Sequence, residues 1–88
     1  NQIKLFQLDL ISFTMIPLYR RWERGTRYYQ VEVCQDLWGQ WVLIQRWGRR
    51  GTRLGQTRRV PCDAYADALR LLARIQRRRI QHGYCAIR

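Results

Sequence analysis

Between Arg27 and Trp47 the chain carries two strand-length runs and little else. In 27-RYYQVEVCQDL-37, Tyr29, Val31 and Val33 alternate with Gln30, Glu32 and Cys34, the period of two expected of a half-buried strand. After 38-WG-39, the run 40-QWVLIQRW-47 supplies the longest β-branched and aromatic stretch in the chain. Two such runs joined through a short glycine-containing connection predict an antiparallel hairpin at the centre of a sheet. The rest of the 88 residues has to be arranged around that pair.

Upstream, 16-IPLYRRW-22 begins with Pro17, which is tolerated at a strand start or a sheet edge, and stops before the turn 23-ERGT-26. Downstream, 56-QTRRVPC-62 is a further short strand ended by Pro61. Asp63 is placed to cap a helix running to about His82, with Asp67 near its start, arginines toward its end and Gly83 just past it. Tyr65, Ala68, Leu69, Leu72, Ile75 and Gln76 form its apolar-side stripe, while Arg70, Arg74, Arg77 and Arg78 form a separate basic one. The ending 84-YCAIR-88 adds a last edge strand. Strands followed by one packed helix indicate an α+β fold, a mostly antiparallel sheet with one long C-terminal helix on one face. Residues 1–14, with one Lys, one Asp and no Arg, differ from all this. They read as an appendage to a domain spanning 15–88: an extra strand, a short amphipathic helix, a disordered segment, read-through upstream of a start at Met15, or a segment that pairs two copies as a homodimer.

A chain of this length buries only about 60–65% of its unfolded surface, so nearly every large apolar side chain is needed for the core. Charge is what remains to be explained. Seventeen basic residues against six acidic ones give a formal +11, a field that attracts polyanions. All the basic residues except Lys4 are arginines, whose planar guanidinium makes bidentate phosphate contacts and stacks on bases. Cys34, Cys62 and Cys85 are odd in number and widely spaced, so neither a disulfide framework nor a zinc site is indicated, and buried free thiols in a reducing cytoplasm are expected. No apolar run approaches the ~20 residues of a membrane span. The apolar stretch 3-IKLFQLDLISFTMIPL-18 lacks the basic leader and cleavage site of a signal peptide, so a cytoplasmic protein is expected.

Catalysis is not expected either. The single Ser12 and single His82 cannot build a hydrolytic triad, the carboxylates are scattered, and Asp63 and Asp67 suit a helix start better than an acid/base pair. No cofactor or metal pattern occurs. The glycines of 47-WGRRGTRLG-55 fit neither a Walker loop nor a dinucleotide fingerprint, which leaves a glycine-rich turn with positive φ that projects Arg49, Arg50 and Arg53. Strand parity puts Trp41, Leu43, Gln45 and Trp47 on one face and Val42, Ile44 and Arg46 on the other. If Val42 and Ile44 face the helix, Trp47 lies on the open face among arginines. If Trp41 and Leu43 do, Trp47 is a core residue at the rim.

The segment 27-RYYQVEV-33, the 38-WGQW-41 turn, 47-WGRRG-51 with Gly55-Gln56, the helix and 83-GY-84 together resemble the WGR domain, in its small single-domain bacterial versions, from about Ile16 to Tyr84. Arg50 departs from the aliphatic residue many members carry there. The resemblance implies a sheet of about five antiparallel strands with a helix on one face. It also implies a non-catalytic DNA-binding module, because in poly(ADP-ribose) polymerases this domain helps bind DNA breaks, its Trp stacking at the terminal nucleotide and its Arg joining neighbouring domains and the DNA backbone. Carried over, Trp47 is the stacking residue and Arg49, beside Gly48, the bridging one. With Arg46, Arg50, Arg53, Arg58 and Arg59 on phosphates, and Arg77 and Arg78 from the helix, this predicts a nucleic-acid site that prefers DNA ends or nicks. Two alternatives share the same charge: an adaptor docking an acidic protein partner, such as a separately encoded enzyme, and an RNA-binding module.

Overall fold

The computed structural model describes residues 15–88, so the expectations for residues 1–14 lie outside the described residues. Five strands and one helix follow in the order β1 (Leu18–Arg24), β2 (Arg27–Gln35), β3 (Trp41–Arg49), β4 (Gly55–Cys62), α1 (Tyr65–Gln81) and β5 (Cys85–Ile87). The strands form one antiparallel sheet in the order β4-β3-β2-β1-β5, with the expected hairpin of β2 and β3 in the middle. The α+β class expected from the sequence is the class observed. Pro61 does not end β4 but sits inside it, opposite Val42; β4 is an edge strand, where a missing N–H costs little.

Helix α1 lies on the sheet face that carries Trp22, Val31, Val33, Trp41 and Leu43, and against these it buries Tyr65, Ala68, Leu72 and Ile75. The Trp41 and Tyr65 rings meet edge to face, with centroids 4.6 Å apart, which fixes the start of the helix over the start of β3. Two expected members of the stripe are outside it: Leu69 is 37% exposed and Gln76 is exposed, whereas Leu71 packs against the core. The true stripe steps by three and four residues through 65, 68, 72 and 75, and its next position is 79.

Both helix ends differ in instructive ways. Asp63 is not the cap: Ala64 occupies that position with extended backbone (φ −145°, ψ 159°), and no side chain caps the first turn. At the other end Gly83 takes φ +82°, Gly83 N–H donates to Ile80 O at 3.0 Å and Tyr84 N–H to Arg79 O at 2.9 Å. That pair of bonds is the Schellman arrangement, in which the residue after the glycine folds back on the last helical turn. Tyr84 is thereby carried onto Arg79. The cysteines are all free, but only Cys62 is buried; Cys34 is half-buried and Cys85 is exposed, because it falls on the short outer strand β5.

Candidate nucleic-acid interface

The parity question is settled by the helix. Trp41, Leu43 and Gln45 are buried beneath it, so Trp47, two residues further along the same face, is half-buried at the rim rather than displayed on the open face. Its ring stacks on Tyr29, its direct partner across the β2–β3 ladder, with centroids 5.7 Å apart and planes 13° from parallel. One face of the indole is therefore already covered by protein. Beside it a groove of about 520 Å³ opens between sheet and helix, lined in part by Tyr29, Gln45, Trp47, Leu71 and Ile75. Arg58 stands on the sheet side, with Arg74, Arg78, Arg79 and His82 on the helix side.

This lining is held by polar bonds as well as packing. Gln45, 7% exposed, donates from Nε2 to the Tyr29 hydroxyl at 3.0 Å. Burial pushes the Tyr29 phenol above its ordinary value of 10.0, opposed in part by the nearby positive charge of Arg79. Arg79 is the residue the stripe places at position 79. Its guanidinium carbon lies 4.2 Å from the centre of the Tyr29 ring and 5.2 Å from that of Tyr84, and its Nε is buried without a hydrogen-bond partner. Arg24 adds another layer, 5.0 Å from the Tyr84 ring centre, while its Nη1 donates to His82 O at 2.6 Å and so satisfies a carbonyl at the helix end.

The glycines of the 47–55 stretch do two different jobs. Only Gly51 of the three has positive φ (+74°), in the connection between β3 and β4. Gly48 and Gly55 are strand residues directly opposite one another in the β3–β4 ladder. A Cβ at Gly48 would stand 2.7 Å from Leu54 O and 3.4 Å from Tyr28 Cε1; one at Gly55 would stand 3.0 Å from both Trp47 O and the Tyr28 hydroxyl. Tyr28, across the ladder from Gly48, thus lies over a backbone pair with no side chains of its own.

The candidate residues are distributed as follows. Trp47, Arg58 and Arg78 come together in the groove. Arg49 is on the same face beyond Trp47; opposite Arg27 in the ladder, it lines a second, smaller cleft with Thr26 and Gly48. Two like charges abreast are unfavourable unless an anion lies across them. Arg50 folds back instead: its N–H donates to Thr26 O at 2.6 Å, its Nη1 to Gly25 O at 3.1 Å, and its Nε lies 3.6 Å from Glu23. It fastens the β3–β4 connection to the β1–β2 turn. Arg53 is exposed in that connection, and Arg77 is exposed on the helix outside the groove lining. Arg46 and Arg59 have the other parity and belong to the opposite sheet face, where Arg46 lies 3.4 Å from Glu32.

Sequence reasoning missed Tyr29, Arg27, Arg74, Arg79 and His82 as part of this surface. The three-four spacing of the buried stripe was the available signal for Arg79. Among the described residues no helix is long and apolar enough to cross a membrane.

No curated protein and no solved structure matches the chain at a significant level. The family comparison gives a positive result: residues 12–88 match the model of the WGR domain, in which Trp47, Gly48 and Arg49 supply the triplet that gives the domain its name. The chain belongs to the WGR domain family.

Proposed function

We propose that this domain is a non-catalytic module that binds DNA at ends or nicks through the groove beside Trp47. WGR domains are known from poly(ADP-ribose) polymerase-like proteins as nucleic-acid-binding modules. The observation that carries the finer reading is the Trp47 indole, stacked on Tyr29 and half-buried in the wall of a groove that Arg58, Arg74, Arg78 and Arg79 also line. A groove of about 520 Å³ suits one nucleotide unit and not a duplex. Inside closed duplex DNA every base face is occupied by its neighbour, whereas an end or a nick leaves a sugar or base face free to stack, at about 1–3 kcal/mol per base.

The charge available on this face is smaller than the total suggests. Arg46 and Arg59 point away and Arg50 is tied to Glu23, and the arginines that line the two grooves are Arg27, Arg49, Arg58, Arg74, Arg78 and Arg79. Four to six phosphate contacts predict an affinity loss of roughly 10² to 10³ between 50 and 200 mM salt, with a log–log slope of about −4 to −5.

The test is equilibrium binding by fluorescence anisotropy to nicked duplex, linear duplex and structured RNA, with closed circular duplex as competitor, across that salt range. Trp47→Ala is expected to weaken binding to ends and nicks more than to closed duplex. Arg74→Gln with Arg78→Gln is expected to lower the slope by about 2. A salt-independent affinity, or equal Trp47→Ala losses on open and closed DNA, refutes the reading; preference for structured RNA transfers the groove to that ligand.

A further inference from the structure

The other end of the sheet is built to opposite rules. In the β2–β3 connection, Asp36 Oδ1 accepts from the N–H groups of Trp38 (2.9 Å) and Gln40 (3.0 Å), and Asp36 N–H donates to Gln40 O at 2.9 Å. Gln35 Nε2 donates to Gly39 O at 2.9 Å, and Gly39 closes the turn at φ +82°. This well-bonded turn holds Leu37 and Trp38 in solvent, 94% and 86% exposed. Neither side chain serves the core, and two large apolar groups fixed side by side on a projecting turn mark a contact surface.

Among the described residues, two carboxylates stand at that end without an arginine partner, Asp36 in the turn and Asp63 after Cys62 at the end of β4; Asp67, in the first turn of α1, is paired with Arg70 at 2.8 Å. The three β3–β4 rungs nearest to it, Trp41–Cys62, Val42–Pro61 and Leu43–Val60, carry no charge at all. The two grooves described above are both at the arginine-rich end. One end thus carries an exposed apolar pair beside Asp36 and Asp63, and the other an aromatic, arginine-lined groove. They are separated by the run from Trp41 to Trp47, roughly 20 Å at about 3.4 Å per residue.

We propose that a second copy of this chain is the occupant: the Leu37–Trp38 turn of one copy seats in the Trp47 groove of the next, with Asp36 and Asp63 facing Arg58, Arg74 and Arg78. Trp38 packs against the Trp47 indole, and Leu37 meets Leu71 and Ile75. The contact is head to tail, so every assembly keeps one free turn at one end and one free groove at the other, and association propagates. The net charge of +11 opposes it at low ionic strength. At about 0.15 M the screening length of ~8 Å removes repulsion between distant charges and leaves the close pairs, so association increases from 10 mM to 150 mM salt. The docking stands on its own geometry; that it excludes nucleic acid from the groove rests on the function proposed above.

Sedimentation velocity on the full chain, free of nucleic acid, tests this at 10 to 500 μM and 0.15 M salt. The average mass is expected to rise with concentration past that of a dimer. Trp38→Ser, at an exposed position, removes the turn's ring without touching the core, and Arg74→Glu with Arg78→Glu removes the groove's charge. Each variant alone is expected to remain monomeric with an unchanged circular dichroism spectrum. Mixed in equal amounts they form a dimer that grows no further, because one supplies an intact groove and the other an intact turn. Monomer at all concentrations, assembly of Trp38→Ser like the parent, or no complementation in the mixture overturns the proposal. So does Trp38-dependent binding to anionic vesicles by a chain that stays monomeric. If complementation holds but a short nicked duplex fails to disperse the assembly, the nucleic-acid reading of the groove falls and the docking does not.

Discussion

Gly48→Ala tests whether the glycine of the Trp-Gly-Arg triplet is required by a turn or by close approach. Gly48 is in a strand, and its φ is not positive, so alanine has no backbone objection there. The objection is steric. The new methyl would lie 2.7 Å from Leu54 O and 3.0 Å from Gly55 Cα, both backbone atoms, against the ~3.5 Å at which such contacts become favourable. Relief requires β3 and β4 to separate by roughly 0.5–1 Å at their last rung, next to the one that carries Trp47 and Gln56. Forcing a methyl into a packed site costs about 1–3 kcal/mol, and the stiffer unfolded chain gives back about 0.4–1 kcal/mol. A net loss of about 1–2 kcal/mol lowers Tm by roughly 5–15 °C for a domain of this size.

Thermal unfolding followed by circular dichroism measures the shift, and two companions make the reasoning refutable. Gly51→Ala adds a methyl where nothing lies within 4 Å and φ is +74°, so it costs about 1 kcal/mol through local backbone strain alone. It leaves the Trp47 environment, read by tryptophan fluorescence, unchanged. Tyr28→Ala removes the ring 3.4 Å from the new methyl but not the carbonyl at 2.7 Å, so it cannot rescue Gly48→Ala. An unshifted Tm for Gly48→Ala, or its restoration by Tyr28→Ala, shows that the backbone approach is not the constraint.

Two other perturbations follow from the helix and the groove. Ala64→Ser places a hydroxyl at an N-cap whose extended backbone already suits it and whose first turn has no side-chain partner; it is expected to raise stability by about 0.5–2 kcal/mol in urea unfolding, without changing nucleic-acid affinity. The Tyr29 phenol is held above 10.0 by burial, so the folded state keeps its proton where the unfolded state loses it. That contribution is complete below pH 10.0 and is lost as pH rises through the higher folded value. Tyr29→Phe is expected to flatten the alkaline fall in stability and to remove one late step from the absorbance titration at 295 nm; a fall of unchanged steepness contradicts this.

Much of the fold was legible where an element obeys one rule over most of its length. β2 alternates cleanly, and α1 carries a three-four stripe and a glycine at its end. The face occupied by Trp47 was not legible, for a physical reason: β3 is apolar on both sides. Val42 is 1% exposed and Leu43 0%, although they point to opposite faces, so composition could not say which face meets the helix. That choice is made by packing across elements, through Trp41 against Tyr65, which no local pattern reports. The roles of Gly48 and Gly55 were hidden similarly. Three glycines around a reversal suggest a turn, and only the ladder register shows two of them facing each other beneath Tyr28. Arg79 was missed because a cation on a buried stripe contradicts the composition rule even where it satisfies the spacing.

That contradiction points to how the site is ordered. A leucine at position 79 would continue the apolar stripe from Ile75 and would avoid burying an Nε that finds no partner, which costs free energy in any core. The arginine is compensated by the Tyr29 and Tyr84 rings within 4.2 and 5.2 Å of its charge, and Tyr84 is there because Gly83 turns the chain back at the helix end. Tyr29 in turn supports the Trp47 indole and is fixed at its hydroxyl by Gln45. The helix terminus, the half-buried cation and the stacked rings therefore form one connected assembly, ordered when the domain folds. On the proposed function, a ligand entering the groove meets an indole whose orientation is already set, so little of its binding free energy is lost to immobilising that side chain. Stability and the proposed recognition then draw on the same contacts, and substitutions at Arg79 or Tyr84, neither of which belongs to the Trp-Gly-Arg triplet, are expected to weaken both.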